Sequence, residues 1–167
     1  MQLYLMRHGT AVELGQHGVS SDAERMLSPE GVEKTKAVAR GFKRTIEPLP
    51  QRVLSSPLLR ARQTAEIVAA AAAPGVDIEY ADELRPGADT ADTLAWLARQ
   101  PQRPTLLVGH LPDLDTLASR LVSGTDRVRF LFKKAAVLGI EFERGAAPGR
   151  GVVTFLLQPA VLRRLGE

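Results

Sequence analysis

The 167-residue chain has the length of one domain, expected to span residues 1–167, and its 44% of hydrophobic residues argues against disorder. It contains no cysteine, which excludes disulfides and thiolate chemistry. The net charge of +3 comes without a cluster of Lys and Arg interleaved with aromatic residues, so we expect no nucleic-acid partner; an anionic substrate or an ordinary solvated surface explains the excess.

No stretch of the sequence indicates export or a membrane partner. The apolar run from Met1 to Met6 ends at Arg7-His8 and does not resemble a signal peptide. The longest apolar run, 67–73, is far shorter than the ~20 residues that a membrane-spanning helix needs. We therefore expect a cytoplasmic protein.

Strand-like and helix-like segments alternate along the chain. In chain order, we predict a strand at 2–6, a helix from 29, a strand at 52–55, a helix from 56–57 to about 73, a strand at 76–80, a helix at 89–100, a strand at 104–109, a helix from 112, and strands at 137–142 and 152–157. The Gly/Pro-rich stretch 145–151 predicts a hairpin between the last two strands. This alternation predicts an α/β fold, a three-layer αβα sandwich with a mainly parallel sheet and an antiparallel edge.

Helix signals support this map. Ser28 suits an N-cap and Pro29 the first helical position, while Asp89 and Asp92 suit the first turn of a later helix. Apolar residues at helical spacing mark two buried faces: Val38, Phe42 and Ile46 on the first helix, and Leu114, Leu117 and Leu121 on the helix from 112.

Three chemically suggestive features fall at matching places in the map. Arg7-His8-Gly9 follows the first strand, Arg60 lies in the first turn after the second strand, and His110 follows the fourth strand. Ligands of open α/β sheets bind outside the carboxyl ends of the strands, so these residues are expected to converge on one pocket.

The residue types suit phosphoryl transfer. A neutral imidazole can attack phosphorus and form a covalent intermediate that water hydrolyses. Guanidinium groups bind phosphate oxygens bidentately and stabilise the transferring group. The helix that begins near Pro57 adds backbone N–H donors at its N-terminus.

Arg7-His8-Gly9 resembles the RHG motif of the histidine phosphatase superfamily, which also contains the cofactor-dependent phosphoglycerate mutases. The stretch SSPLLRARQTA at 55–65 resembles the second motif of that superfamily, and Val108-Gly109-His110 resembles the third. The resemblance implies a phosphoglycerate mutase-like fold, with His8 as nucleophile and Arg7, Arg60 and His110 as catalytic residues that bind the phosphate.

A narrower resemblance concerns the SixA-type phosphohistidine phosphatases. It rests on the small size of the chain and on the segments at 22–31, 109–112 and 132–137. The resemblance implies a substrate with phosphohistidine on a partner protein, such as a phosphorelay domain. It also implies that Arg25 reaches the phosphate, although Arg25 equally fits a surface arginine just before a helix cap.

Simpler interpretations are favoured for the other polar residues. Arg60 and Arg62 are two apart on a helix and face nearly opposite ways, so Arg62 is predicted to be a surface charge. His17 matches no motif and is predicted to be exposed. The three histidines lack metal-ligand spacing, so we predict neither a metal nor a cofactor. Asp113 and Asp115 are taken as helix N-terminal charges rather than partners of His110.

The sequence departs from the superfamily at the general acid. Many members carry a glutamate two residues after a leucine near the third strand, and that glutamate protonates the leaving oxygen. In this sequence Pro86 lies two residues after Leu84 and therefore occupies the position of the acid. Glu83, Asp89 and Asp92 remain candidates for the role.

Three functions therefore stand open. The first is a phosphatase that acts on phosphohistidine of a partner protein through a phosphoenzyme. The second is a phosphatase for small phosphomonoesters, and the third is a weakly catalytic phosphate-binding regulatory module. The complete set of Arg7, His8, Arg60 and His110 argues against the third.

Overall fold

The computed structural model describes all residues from 1 to 167. One six-stranded sheet contains β1 (Gln2–Arg7), β2 (Arg52–Ser55), β3 (Ile78–Tyr80), β4 (Thr105–Gly109), β5 (Val137–Glu141) and β6 (Val152–Leu157). Five helices flank it: α1 (Pro29–Thr45), α2 (Leu59–Ala72), α3 (Thr90–Ala98), α4 (Asp113–Ser123) and α5 (Pro159–Leu165). None of these helices combines the length and apolarity that crossing a membrane demands.

The strand order is β3-β2-β4-β1-β5-β6, and the first four strands are mutually parallel. β5 runs antiparallel to β1 and to β6, so the last two strands form the predicted hairpin. Helical crossovers return the chain between parallel strands, as the alternating sequence pattern requires. The predicted α/β sandwich is confirmed.

The core lies on both faces of the sheet because alternate strand residues point to opposite sides. Leu3 and Leu5 pack with α3 and α4, whereas Tyr4 and Met6 pack with α1, α2 and α5. Both helix faces predicted to be buried are buried. A central sheet covered on both faces leaves the strand ends as the accessible edge.

The structure differs from the sequence-based prediction at several element ends and in one additional helix. β3 begins at Ile78, because Val76 is held in a turn by a hydrogen bond from its N–H to the Ala73 carbonyl. α2 begins at Leu59 rather than at 56–57. The short helix α5 was not predicted, although its first residue is proline. It packs so closely on α1 that a Cβ at Gly41 would lie 1.8 Å from the Leu162 carbonyl oxygen.

Candidate active site

The register of the central strands brings two histidines together. β1 and β4 are adjacent and parallel, and Arg7 lies opposite Gly109 at their carboxyl ends. His8 and His110 therefore follow paired positions, and the His8 N–H donates to the Gly109 carbonyl at 3.0 Å. Their ring centroids are 5.1 Å apart, as the predicted convergence requires.

His8 is a buried imidazole whose tautomer is fixed by the backbone. Its Nδ1 lies 2.7 Å from the Gly9 carbonyl oxygen. A carbonyl can only accept a hydrogen bond, so Nδ1 carries the proton and Nε2 keeps its lone pair. Burial lowers the pKa of His8 to about 3; the positive charges of Arg60 and Lys134 add to the shift, and the bond to Gly9 opposes it. His8 is thus neutral at pH 7, the state that a nucleophile needs.

Gly9 is required by close packing behind His8. A Cβ at this position would lie 2.4 Å from the Thr35 Oγ1 of α1, far inside van der Waals contact. The Gly9 N–H donates to Thr64 Oγ1 at 3.0 Å, and Thr64 in turn donates to the Arg60 carbonyl. The loop that carries His8 is therefore fixed to the same helix that carries Arg60.

His110 is held by the start of the neighbouring crossover. Its Nε2 lies 2.8 Å from Ser56 Oγ, and that hydroxyl oxygen accepts the Leu58 N–H at 3.3 Å. Burial lowers the pKa of His110 to about 4, and the charge of Arg60 adds to this shift. The other ring nitrogen, Nδ1, is buried and has no hydrogen-bond partner.

Arg7 and Arg60 are anchored at one part of the guanidinium and free at another. Arg7 Nη1 donates to the Phe132 carbonyl at 2.9 Å. Arg60 is only 5% exposed; its Nη1 donates to the Asp22 carbonyl at 2.7 Å and its Nη2 to Asp22 Oδ2 at 2.9 Å. Both Nε atoms are buried and unpartnered. Each guanidinium is thus positioned while retaining donors for an anion.

Unpartnered buried polar atoms concentrate in this pocket. Five side-chain nitrogens or oxygens in the chain are buried without a partner, and three belong to Arg7, Arg60 and His110. Leaving such a group unsatisfied costs about 1–3 kcal/mol, so a cluster of them around one imidazole indicates a binding site for a hydrogen-bond acceptor.

Arg25 lies near the pocket but is engaged with other groups. Its Nε donates to the Val12 carbonyl at 2.8 Å, and its two Nη atoms pair with Asp22 and Glu13 at 3.1 and 3.3 Å. Asp22 also pairs with Arg60, so a single carboxylate joins the two arginines. The Arg25 side chain is 17% exposed and is paired with two carboxylates, so it is not a free surface charge.

The sequence model of the histidine phosphatase superfamily (branch 1) matches residues 3–87. An uncharacterised protein of Picosynechococcus sp. is 37% identical over 143 residues, which cover 84% of each chain. The chain belongs to the histidine phosphatase superfamily. The predicted superfamily and enzyme class are thereby confirmed.

Two further comparisons place this histidine phosphatase near the SixA proteins. Phosphohistidine phosphatase SixA of Escherichia coli is 29% identical over 169 aligned positions, with 98% of this chain and 97% of SixA covered. The structure of protein histidine phosphatase SixA complexed with tungstate superposes with a TM-score of 0.80 at 28% identity, covering 96% and 98% of the two chains. The predicted likeness to SixA is confirmed.

Of the three candidate acids, only Glu83 lines a pocket together with one of the two histidines, His110. Glu83 and His110 line one small pocket together with Asp113. Asp89 is committed to the N-cap of α3, where its Oδ1 accepts the Ala91 and Asp92 N–H groups. Asp92 is exposed on that helix. Among the three candidate acids, Glu83 is therefore the one that shares a pocket with His110.

The remaining polar residues lie as the simpler interpretations predicted. His17 is exposed, and so is Arg62, whose guanidinium lies over the Tyr80 ring at 4.9 Å. Asp115 accepts from Arg129 Nε and the Phe130 N–H, and Asp113 accepts the Gly87 N–H. Neither of these two aspartates is bonded to His110.

Sequence reasoning missed Asp22 and Ser56 as partners of the site. Asp22 belongs to the segment 22–31 that resembles SixA-type proteins, but the sequence does not indicate which residue Asp22 contacts, because its loop has no hydrophobic periodicity. The sequence indicates only that a helix starts near Ser56, whereas in the structure its hydroxyl lies 2.8 Å from His110 Nε2. Both act through residues that the sequence did identify.

The two buried histidines predict acid sensitivity of folding. Both have pKa values below their ordinary 6.5, so below pH 6.5 the unfolded chain binds more protons and stability falls as pH drops toward 4. Each histidine contributes a slope of up to ~1.4 kcal/mol per pH unit in this range. Urea unfolding of His8→Gln between pH 7 and 4.5 is expected to show a shallower loss of stability.

His17→Gln provides the control for this titration. Its ring is exposed, and the variant should keep the wild-type slope. An unchanged slope in His8→Gln would show that His8 titrates normally in the folded protein.

Proposed function

We propose that the protein hydrolyses phosphoryl groups through a covalent intermediate on His8. The lone pair of His8 Nε2 attacks phosphorus and the leaving group departs with the bonding electron pair; water then attacks the phosphohistidine, which releases inorganic phosphate and restores the imidazole. The supporting observation is the set of unpartnered buried nitrogens of Arg7, Arg60 and His110 around a neutral His8. These donors suit the equatorial oxygens of the transferring group.

The proposed substrate is phosphohistidine on a partner protein, as in a phosphorelay domain. Pro86 stands at the position of the usual acid and has no ionisable side chain, so an alkoxide would leave without a proton. The imidazole of a phosphohistidine can carry a proton before the P–N bond breaks and then leaves as a neutral ring. One relative, SixA of Escherichia coli, is a phosphohistidine phosphatase, and the tungstate bound by a SixA protein is an oxyanion.

A second candidate is a phosphatase for small phosphomonoesters. The observation that favours it is the position of Glu83, which lines a pocket with His110. A protonated Glu83 could supply the missing proton to an alkoxide leaving group.

A leaving-group series at fixed pH tests the choice. General acid catalysis is worth ~10²–10⁴-fold, so kcat/KM for phosphoramidates and a histidine-phosphorylated protein should exceed that for alkyl phosphates by this order, with aryl phosphates between them. Glu83→Gln should leave the order unchanged. A flat series, or a loss of monoester turnover in Glu83→Gln alone, would favour the second candidate.

A further inference from the structure

The segment Phe132–Ala136 lies directly against the backbone of Arg7 and His8. The Ala135 N–H donates to the carbonyls of Arg7 and His8 at 3.0 and 3.3 Å, and the Arg7 N–H donates to the Ala136 carbonyl at 3.2 Å. Phe132 accepts from the Arg7 guanidinium. Residues before and after Lys134 are hydrogen-bonded to Arg7, so the backbone of Lys134 is held close to the proposed nucleophile.

Backbone geometry separates Lys134 from its neighbour Lys133. Ala135 has a φ of +63°, a left-handed conformation that turns the chain immediately after Lys134. Lys133 is exposed to solvent, while Lys134 is partly buried. Two adjacent lysines therefore have different environments, and only the second is placed toward the site.

Lys134 lies among like charges without an anionic partner. It forms none of the ion pairs in the chain. Burial lowers the pKa of Lys134, and the positive charges of Arg7, Arg25 and Arg60 lower it further, whereas the charge of Glu13 opposes this shift. An ammonium held in such surroundings is destabilised unless an anion binds beside it.

The pocket contains two positive charges that no carboxylate neutralises, which suits one doubly charged anion. Arg25 and Arg60 share the carboxylates of Asp22 and Glu13, whereas Arg7 and Lys134 have no acidic partner. A phosphoryl group carries about 1.5 to 2 negative charges at neutral pH, which matches the two unpaired cations.

We propose that Lys134 contacts the phosphoryl group itself, as a further catalytic residue beside Arg7, Arg60 and His110. The role rests on the proposed function of the site. The ammonium donates to a nonbridging oxygen and stabilises the charge that develops on it during transfer from the substrate to His8 Nε2 and from His8 to water. No proton is consumed by Lys134 in this role.

Lys134→Met and Lys133→Met form a matched pair for the test. Lys134→Met should lower kcat/KM for a phosphoramidate by roughly 10–100-fold. This loss is smaller than the loss expected on removing a fully buried donor, because water screens a partly exposed charge. It should also weaken tungstate binding. Lys133→Met should remain within about twofold of wild type, and Lys134→Arg should retain part of the activity.

Thermal stability distinguishes this role from a structural one. In anion-free buffer, Lys134→Met should melt at or above the wild-type temperature, since it removes repulsion with three arginines, but it should gain less stability when tungstate is added. If Lys134→Met melts below the wild type, or if its activity and tungstate affinity equal those of Lys133→Met, the proposal for Lys134 is overturned. In either case, an active wild type would still support the proposed phosphatase function. A wild type that neither turns over nor binds tungstate would overturn both.

Discussion

Replacing His8 with alanine is expected to lower kcat by at least ~10⁴-fold, because removal of a nucleophile eliminates the covalent route and leaves only binding and electrostatic stabilisation. The side chain packs at a strand end and donates only to the Gly9 carbonyl, so its loss leaves the sheet intact. Turnover of a phosphoramidate and circular dichroism of the same sample provide the two measurements.

His17→Ala is the control for that substitution. His17 is exposed in the segment after β1, so its variant should retain full activity. Near-normal turnover in a folded His8→Ala protein would show that another group attacks phosphorus.

Arg60→Ala is expected to lower kcat by roughly 10²–10³-fold, the usual cost of removing one donor to the transition state. Arg60 is 5% exposed and keeps Nε free for an oxygen, while Asp22 holds its other two guanidinium nitrogens. Arg60→Lys should remain impaired, because an ammonium cannot reproduce the planar fork that binds Asp22 and an oxyanion together.

Arg62→Ala is the matched control on the same helix. Arg62 is exposed and lies over the Tyr80 ring, which is worth about 0.5–1 kcal/mol of stability at an exposed site and contributes nothing to the pocket. Steady-state kinetics of both variants provide the comparison. A larger loss in Arg62→Ala than in Arg60→Ala would reverse the assignment of the two arginines.

Sequence patterns predict the parts of the site that depend on where strands end and on which face of a helix a residue lies. Apolar runs locate β1 and β4, and parallel pairing then places His8 and His110 side by side. The 3.6-residue period of α2 buries Arg60 and exposes Arg62. These features follow from short-range patterns that no tertiary contact overrides.

Other parts of the site depend on contacts between distant segments. Asp22 meets Arg60 across 38 positions of sequence, through a loop whose path no hydrophobic period specifies. The turn directly after Lys134 depends on the left-handed conformation of Ala135, a residue type that rarely adopts it. The short helix α5 depends on packing against Gly41, and its sequence alone is too short to indicate a stable helix.

Acid-free quenching followed by mass spectrometry tests the central claim most directly. Wild-type protein is mixed with excess phosphoramidate, denatured in alkali within the first turnovers and digested, since a phosphohistidine is stable to base and labile to acid. A phosphate on His8 Nε2, absent from His8→Ala and lost on acid treatment, is the predicted result. Phosphate on any other residue, or steady turnover with no phosphate on the protein in samples quenched within the first turnovers, would contradict the account.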